Sequence, residues 1–358
     1  MGQIWRVLDT GLRSAAQNIA MDRAVLEARK ADEIPSTLRF LRFTRCALLG
    51  HRQSLPQEVH RDYCQRHGVE IQRRLSSGPA QFVDERQLGW TLYLHQRDAK
   101  YADARAISKR VCHAVATAIG ATGLDARYRA RDEIEIDGRT VGSCGIAFDG
   151  DALLLQGTLL VEFDVDDMLH VLRVPVGQSM DEARAAAGER VAGLKRCLGK
   201  QPDVRAIKHY IVEAFESDFD VEFREADVTL TEDARYHAAL SEIDTPDWVN
   251  LFARSASETP IVNSVCSVPG GRLRASVMYD TPAQTIKQVW FTGDIAIDPG
   301  RTVADLEAEL RDVPVERLTR KVEAFFSSRH VTMGALAPSD FVNVVRRALQ
   351  QPLLIQNL

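Results

Sequence analysis

The segment Arg73-Arg74-Leu75-Ser76-Ser77-Gly78-Pro79-Ala80 sets two guanidinium groups immediately before a short loop of small residues. Arginine forks grip oxygens bidentately, and glycine lets a backbone bend until its N–H groups meet an anion. The combination suits a carboxylate or a phosphate, with an ordinary core-edge ion pair as the alternative role for Arg74. A second segment, Asp137-Gly138-Arg139-Thr140-Val141-Gly142-Ser143-Cys144-Gly145, opens on a hairpin signal and ends on a thiol between small residues. Cys144 could serve as an acyl nucleophile, although a free cysteine in such a loop is more often inert.

A chain of 358 residues exceeds the usual single-domain range, so one large and one small domain are expected. The net charge of -5 gives no overall basic field and argues against nucleic acid as the main partner. Anion binding must therefore be local, and arginines do cluster at Arg39, Arg42, Arg45 and Arg52, at Arg73 and Arg74, and at Arg127, Arg129 and Arg131. A solvated surface is the other reading of such clusters. The six cysteines show neither a C-x-x-C nor a zinc-type pairing with histidine, as expected for free thiols in a reducing compartment. No stretch approaches the roughly 20 apolar residues of a membrane span, so a cytoplasmic location with no membrane partner is expected.

The elements that must position these residues are legible from periodicity. Ser14 followed by Ala16, Ile19, Ala20 and Ala24 predicts a helix to about Lys30, and short apolar runs over 38–43, 46–50 and 69–71 predict strands. A helix is expected over 104–120, with Ile107, Val111 and Val115 inward. Ile134 and Ile136 lead into the Asp137-Gly138 turn, and 153–163 is read as the longest strand. Val204, Ile207, Ile211 and Phe215 mark another helix. The chain turns polar around 231–250, and Asp244-Thr245-Pro246-Asp247-Trp248-Val249-Asn250 is read as a connector ending the first domain. Beyond it, strands are expected over 272–279 and from Val289 to Gly293, a helix starting at Thr302, and a last helix capped by Ser339 with Phe341, Val344, Val345 and Ala348 inward. Irregular alternation of strand and helix favours an α+β mixed sheet over a doubly wound one, and no G-x-G-x-x-G or Walker loop is present.

The chain resembles lipoate–protein ligases, and the resemblance runs through nearly its whole length. It is carried in order by Leu49-Gly50-His51-Arg52-Gln53, Gln57-Glu58-Val59, Arg73-Arg74, Asp137-Gly138-Arg139, Gly157-Thr158-Leu159-Leu160, Leu172-Arg173-Val174-Pro175, Arg190-Val191 and Asp247-Trp248. The resemblance implies a mixed sheet flanked by helices, the catalytic fold shared with biotin ligases, over residues 1–250. It implies a small α+β accessory domain over 251–358. The implied activity is ATP-dependent attachment of lipoate or octanoate to a lysine of a lipoyl-acceptor domain. The implied ligand-binding residues are Arg52, Arg73, Arg74, Ser76, Ser77, Gly78, Pro79, Ala80, Arg131, Asp132, Glu133, Gly142, Gly157 and Thr158, with Arg73 and Arg74 facing the phosphate.

Ser77 and Pro79 stand where the family has glycine, Val83 stands for a histidine, Arg131-Asp132-Glu133 stands for an Arg-Asn-Asp triplet, and Thr140 stands at the family's lysine. Pro79 removes a backbone donor, and the acids oppose polyphosphate unless they hold Mg²⁺. Losing the lysine is expected to cost roughly 3–4 kcal/mol of transition-state stabilisation. Three functional expectations follow: an acyl ligase or acyltransferase, a non-catalytic homologue that binds lipoate or an acceptor protein, and a partner subunit of an active ligase.

Overall fold

The structure is a computed structural model that describes residues 3–99, 104–129, 132–173, 180–252, 261–269, 271–299, 301–334 and 336–350. Arg131, Val174 and Pro175, named above, lie outside the described residues. Two compact units emerge, Met1–His51 with Leu55–Leu251, and Arg52–Ser54 with Phe252–Leu358.

Among the described residues the first unit carries eleven strands: β1 (Gln3–Arg13), β2 (Thr37–Phe43), β3 (Cys46–Leu49), β4 (Glu70–Arg73), β5 (Gln81–Val83), β6 (Leu88–His95), β7 (Ala126–Arg129), β8 (Glu133–Ile136), β9 (Arg139–Asp149), β10 (Ala152–Leu159) and β11 (Val221–Glu225). Eight of them form one sheet in the order β11-β1-β2-β6-β10-β9-β8-β7, and β4-β3-β5 form a second. β1 runs parallel to β11 and β2 while the remaining pairs are antiparallel, so the large sheet is mixed and the α+β expectation holds.

Alternation of side chains divides this sheet into two faces. On the first face lies the helix Ala15–Lys30, which Ser14 and Gln17 start with a reciprocal capping box. Its alanines, Ile19 and Val25 pack with Leu41, Tyr93 and Leu154. On the second face lie the helices Ala104–Gly120 and Val204–Phe219, where Trp90 of β6 meets Phe215 edge-on.

Several elements differ from expectation. β1 and β6 were not anticipated, since β1 mixes charges into its alternation and β6 is buried along nearly its whole length, which removes the period-two signal. The long apolar strand stops at Leu159, short of Phe163. The polar stretch after 230 holds the helix Leu230–Ile243, and the segment from Asp244 read as a connector contains the short helix Pro246–Val249. The longer helix buries Tyr236, Ala239 and Ile243 beside Ala15–Lys30, a stripe too thin for its polar remainder to betray. Its start is held by a Thr229–Glu232 capping box, and Glu232 also receives both arms of Arg6 from β1, at 2.8 and 2.5 Å.

The second unit is an antiparallel sheet in the order β12 (Ile261–Val268), β13 (Gly271–Asp280), β14 (Thr285–Gly293), β15 (Val313–Pro314). β14 begins at Thr285, so Val289–Phe291 is its end and not its start. Helices Thr302–Glu309, Leu318–Ser327 and Pro338–Leu349 close its core around Phe291, Leu306, Val322, Phe341 and Val345. The last helix starts at Ala337 with Pro338 in its first turn, so Ser339 is inside the helix and does not cap it. The earlier helix begins at Thr302, as expected, with Arg301 immediately before it. Among the described residues no helix is long and apolar enough to cross a membrane.

The Arg6–Glu232 pair sets a test of this packing. Burial alone would raise the Glu232 carboxyl, but the hydrogen bonds from Arg6 and the Thr229 amide outweigh it and hold the group below its ordinary 4.5. Its stabilisation is thus complete above pH 4.5 and is lost as pH falls through the lower folded value. Glu232→Ala leaves Arg6 buried and uncompensated, and is expected to cost about 3–5 kcal/mol in denaturant unfolding at pH 7. That deficit should narrow when the same comparison is made in acid.

Candidate functional site

β4 runs parallel to β3 and β5 antiparallel to it, so the chain between Arg73 and Gln81 must cross over the end of β3. Two adjacent buried guanidiniums build that crossing. Arg73 donates to the carbonyls of Gly50 at 3.0 Å, His51 at 2.7 Å, Trp248 at 3.3 Å and Val249 at 2.7 Å, and its own carbonyl accepts from the Trp248 indole at 3.0 Å. Burial first, then the charge of Arg74, lowers its pKa to about 10, which leaves it charged at neutral pH.

Arg74 donates to the Leu48 carbonyl at 3.1 Å, to Ser76 Oγ at 3.1 Å, and to the carbonyls of Ser77 and Pro79, both at 2.9 Å. The resemblance implies that Arg73 and Arg74 face a phosphate; the contacts above meet main-chain carbonyls and Ser76 Oγ. Through them Arg74 orients the loop. In a trans peptide the N–H points opposite to the preceding C=O, so turning the Ser77 and Pro79 carbonyls onto Arg74 turns the amides of Gly78 and Ala80 away from it. Neither amide donates a backbone hydrogen bond among the described residues. Two outward amides over a fixed positive charge form an anion-binding concavity.

Gly78 has a φ of 110°, and a Cβ on it would meet Arg74 Nη2. A Cβ on Gly50 would fall 2.0 Å from the Gly78 carbonyl oxygen, so the loop folds down onto a glycine of the β3 end. The Ser76 carbonyl accepts from the His51 amide at 3.0 Å.

Beneath the loop lies a polar floor on the first face of the sheet. The Ser76 hydroxyl donates to Gln156 Oε1 at 3.0 Å, Gln156 Nε2 donates to Asp22 Oδ2 at 2.8 Å, and the Asp22 carboxylate also receives Arg39 at 2.7 Å and the Tyr93 hydroxyl at 2.5 Å. All are buried. Burial pushes the Asp22 carboxyl up against the opposing pull of Arg39, and pushes the Tyr93 phenol well up, so that it stays a donor. Ser143 accepts from Gln81 Nε2 at 3.2 Å, and a Cβ on its neighbour Gly145 would run into Ser77 and Ser76.

Strand register sorts the remaining candidates. Gln156 pairs with Gly145 and Thr158 with Ser143, which places Thr158 on the face beneath the loop. Cys144 and Gly157 pair with each other on the opposite face. There Cys144 meets Cys112 of the helix Ala104–Gly120, and that contact together with burial pushes its thiol well above the usual range. The expected nucleophile is thus a thiol packed against this helix, on the face away from the loop. Gly157 makes room for the Trp90 indole, which lies 2.1 Å from where its Cβ would be, and Gly142 makes room for Leu159 and the Thr158 carbonyl. These two glycines answer packing needs on the second face.

Thr140 donates its hydroxyl to Glu133 Oε2 at 3.1 Å, and its carbonyl accepts from the Ala192 amide. Asp132 has a φ of 57° and gives its carbonyl to the Cys144 amide at 2.8 Å. Among the described residues no group of three or more His, Cys, Asp or Glu could hold a metal ion. Arg52, expected at the ligand, belongs with the second unit; its guanidinium lies over the Phe252 ring, its carbonyl accepts from the Gly293 amide, and burial lowers its pKa. Gly50, Asp22, Gln81, Ser143 and Gln156 were missed. Gln156, a lone amide in the apolar run 153–160, and Asp22, four residues from Asn18 on an otherwise alanine-rich helix, were the available signals.

The chain matches the lipoyl protein ligase A/B catalytic domain over residues 14–216, more than half its length, and belongs to that family. It is similar to octanoyltransferase LipM of Moorella thermoacetica, with 25% identity over 267 residues that cover 69% of this chain and 98% of the relative. In fold it is similar to LipL1 of P. falciparum in complex with lipoate, at a TM-score of 0.71 and 14% identity over 97% of this chain and 100% of that one. A bipartite lipoate protein ligase from Thermoplasma acidophilum gives a TM-score of 0.63 at 22% identity over 71% and 100%.

The close approach of Gly50 to Gly78 makes a direct test. Gly50→Ala is expected to expel the loop carbonyl and lower stability by about 1–3 kcal/mol, read by thermal unfolding. Gly188→Ala, where a Cβ meets nothing within 4 Å inside a helix, should leave stability unchanged or slightly raised.

Proposed function

We propose that this chain is a lipoate–protein ligase-like protein that binds the anionic head of a lipoate- or octanoate-type acid on the 76–80 loop and presents the acyl group to a lysine of a lipoyl-acceptor domain. The observation that carries this reading is the Arg74 guanidinium, which draws in the Ser77 and Pro79 carbonyls and aims the Gly78 and Ala80 amides outward. Donors fixed before the ligand arrives need no reorganisation when negative charge develops on an acyl or phosphoryl oxygen. Family membership supplies the substrate class.

The residues present do not fit a triphosphate as well as they fit one anion. Pro79 has no N–H, Asp132 and Glu133 add negative charge to the hairpin, and Thr140 supplies a hydroxyl bound to Glu133 where the family has an ammonium. Thr140–Glu133 is also the observation that favours the second reading, a homologue that binds acyl group or acceptor and leaves activation to another subunit. The bipartite ligase, described with its E2 lipoyl domain, is a precedent for divided labour in the fold.

Calorimetric titration with octanoate, lipoate and a non-hydrolysable lipoyl-adenylate analogue tests the proposal. Arg74→Met should weaken whichever ligand binds by at least about tenfold, since charge-assisted contacts and loop order are lost together. Absence of binding by all three would sink it. Pyrophosphate release with ATP and lipoate separates the two readings. Thr140→Lys alone should change that rate little, because the introduced ammonium is taken by Glu133. Combining it with Glu133→Gln frees the charge and should raise the rate toward the roughly 10²-fold that one such group contributes.

A further inference from the structure

Asp22 lies in the first helix, is buried, and has no place in the ligand contacts described above. Its carboxylate can only accept, so the Gln156 amide must present Nε2 to it, at 2.8 Å. That choice leaves Gln156 Oε1 facing the loop as an acceptor. The Ser76 hydroxyl is thereby compelled to donate, at 3.0 Å, and its oxygen lone pairs are left for Arg74 Nε, at 3.1 Å. Each link has one polarity, and the polarity is set at the carboxylate. Arg39 and the Tyr93 hydroxyl hold the carboxylate from the side of β2 and β6, at 2.7 and 2.5 Å. The chain Asp22–Gln156–Ser76–Arg74 thus ends on the guanidinium whose other arm holds the Ser77 and Pro79 carbonyls.

We propose that Asp22 and Gln156 are positioning residues, which fix the rotation of the Ser76 hydroxyl and through Arg74 the outward direction of the Gly78 and Ala80 amides. The inference rests on the reading of that loop as the anion site, and it assigns the site's order to a carboxylate on the opposite side of the sheet's first-face core. Asp22→Asn removes the constraint, since an amide can pair with Gln156 in either orientation. Ser76→Ala removes one oxygen from the middle of the chain, and Ser76→Thr keeps it.

Amide order parameters of Gly78 and Ala80 in the full chain, without ligand, test the positioning directly. In the wild type both should stay near the roughly 0.85 of rigid backbone, Ser76→Ala and Gln156→Leu should lower them below about 0.6 while values in β6 and β10 stay unchanged, and Ser76→Thr should restore them. Affinity for the lipoyl-adenylate analogue should fall in the same order. Unchanged order parameters at 78 and 80 in both variants overturn the proposal. So does a decrease spread equally through the first unit, which would mark the network as core packing only. A looser loop in a protein whose wild type binds no acyl or adenylate ligand would uphold the positioning and remove the functional reading instead. Should Gln156→Leu not fold, the Ser76→Ala and Ser76→Thr pair decides alone.

Discussion

Two guanidiniums next to each other in a buried chain crossing impose the constraint on which the first unit depends. A buried guanidinium keeps its charge and its donors must be met, which backbone carbonyls and the Ser76 hydroxyl do here. Eight or so lone pairs have to be brought to one place, and the chain does this by converging the end of β3, the loop after β4 and the stretch at Trp248–Val249. Arg73 gathers Gly50 and His51 with Trp248 and Val249, which are the points where the chain approaches its passages out of the first unit at 51/52 and 251/252. Arg74 gathers the loop. Serving structure in this way does not remove the arginines from the site, since their charge remains under the loop while their hydrogen bonds shape it.

Much of this was legible because the signals were local. The Ser14 cap, the helix at 104–120, the Asp137-Gly138 turn and the apolar side of the last helix each depend on residues a few positions apart. Elements whose signal is tertiary were lost. The Leu230–Ile243 helix shows only a narrow apolar stripe, because much of its docking comes from the Arg6–Glu232 pair, and nothing in a linear pattern links positions 226 apart. Likewise, two arginines followed by a loop of small residues suggested side chains aimed at a ligand. Which carbonyls lie within reach of a guanidinium is decided by the parallel pairing of β3 and β4, a property of topology and not of the motif.

Strand alternation explains why candidates that are neighbours in sequence part company in space. Gly142, Cys144 and Gly157 share one face with Trp90 and Cys112, while Ser143, Gly145, Gln156 and Thr158 share the other with the loop. A motif read along the chain mixes two sets of residues with different tasks, one that fits aromatic and aliphatic packing and one that meets polar groups. Period two is enough to separate them once a single member of either set has been placed.

The electrostatics of the hairpin follow from the same geometry. A lysine on β9 at position 140 would stand where Thr140 now meets Glu133, across the β8–β9 pair. Like-sized hydrogen-bond partners can exchange there without disturbing the backbone, which is held independently by the pairing with β8 and by the Ala192 amide. Glu133 stands where the family has an aspartate, so the changes that bear on charge are the hydroxyl for an ammonium at 140 and the carboxylate of Asp132 for an amide. Glu133 accepts from a neutral hydroxyl where an ammonium would have offset its charge. One positive charge is removed while both acids of the hairpin stay, a change that weighs more against a polyphosphate than against a single carboxylate, since repulsion grows with every charge a ligand carries.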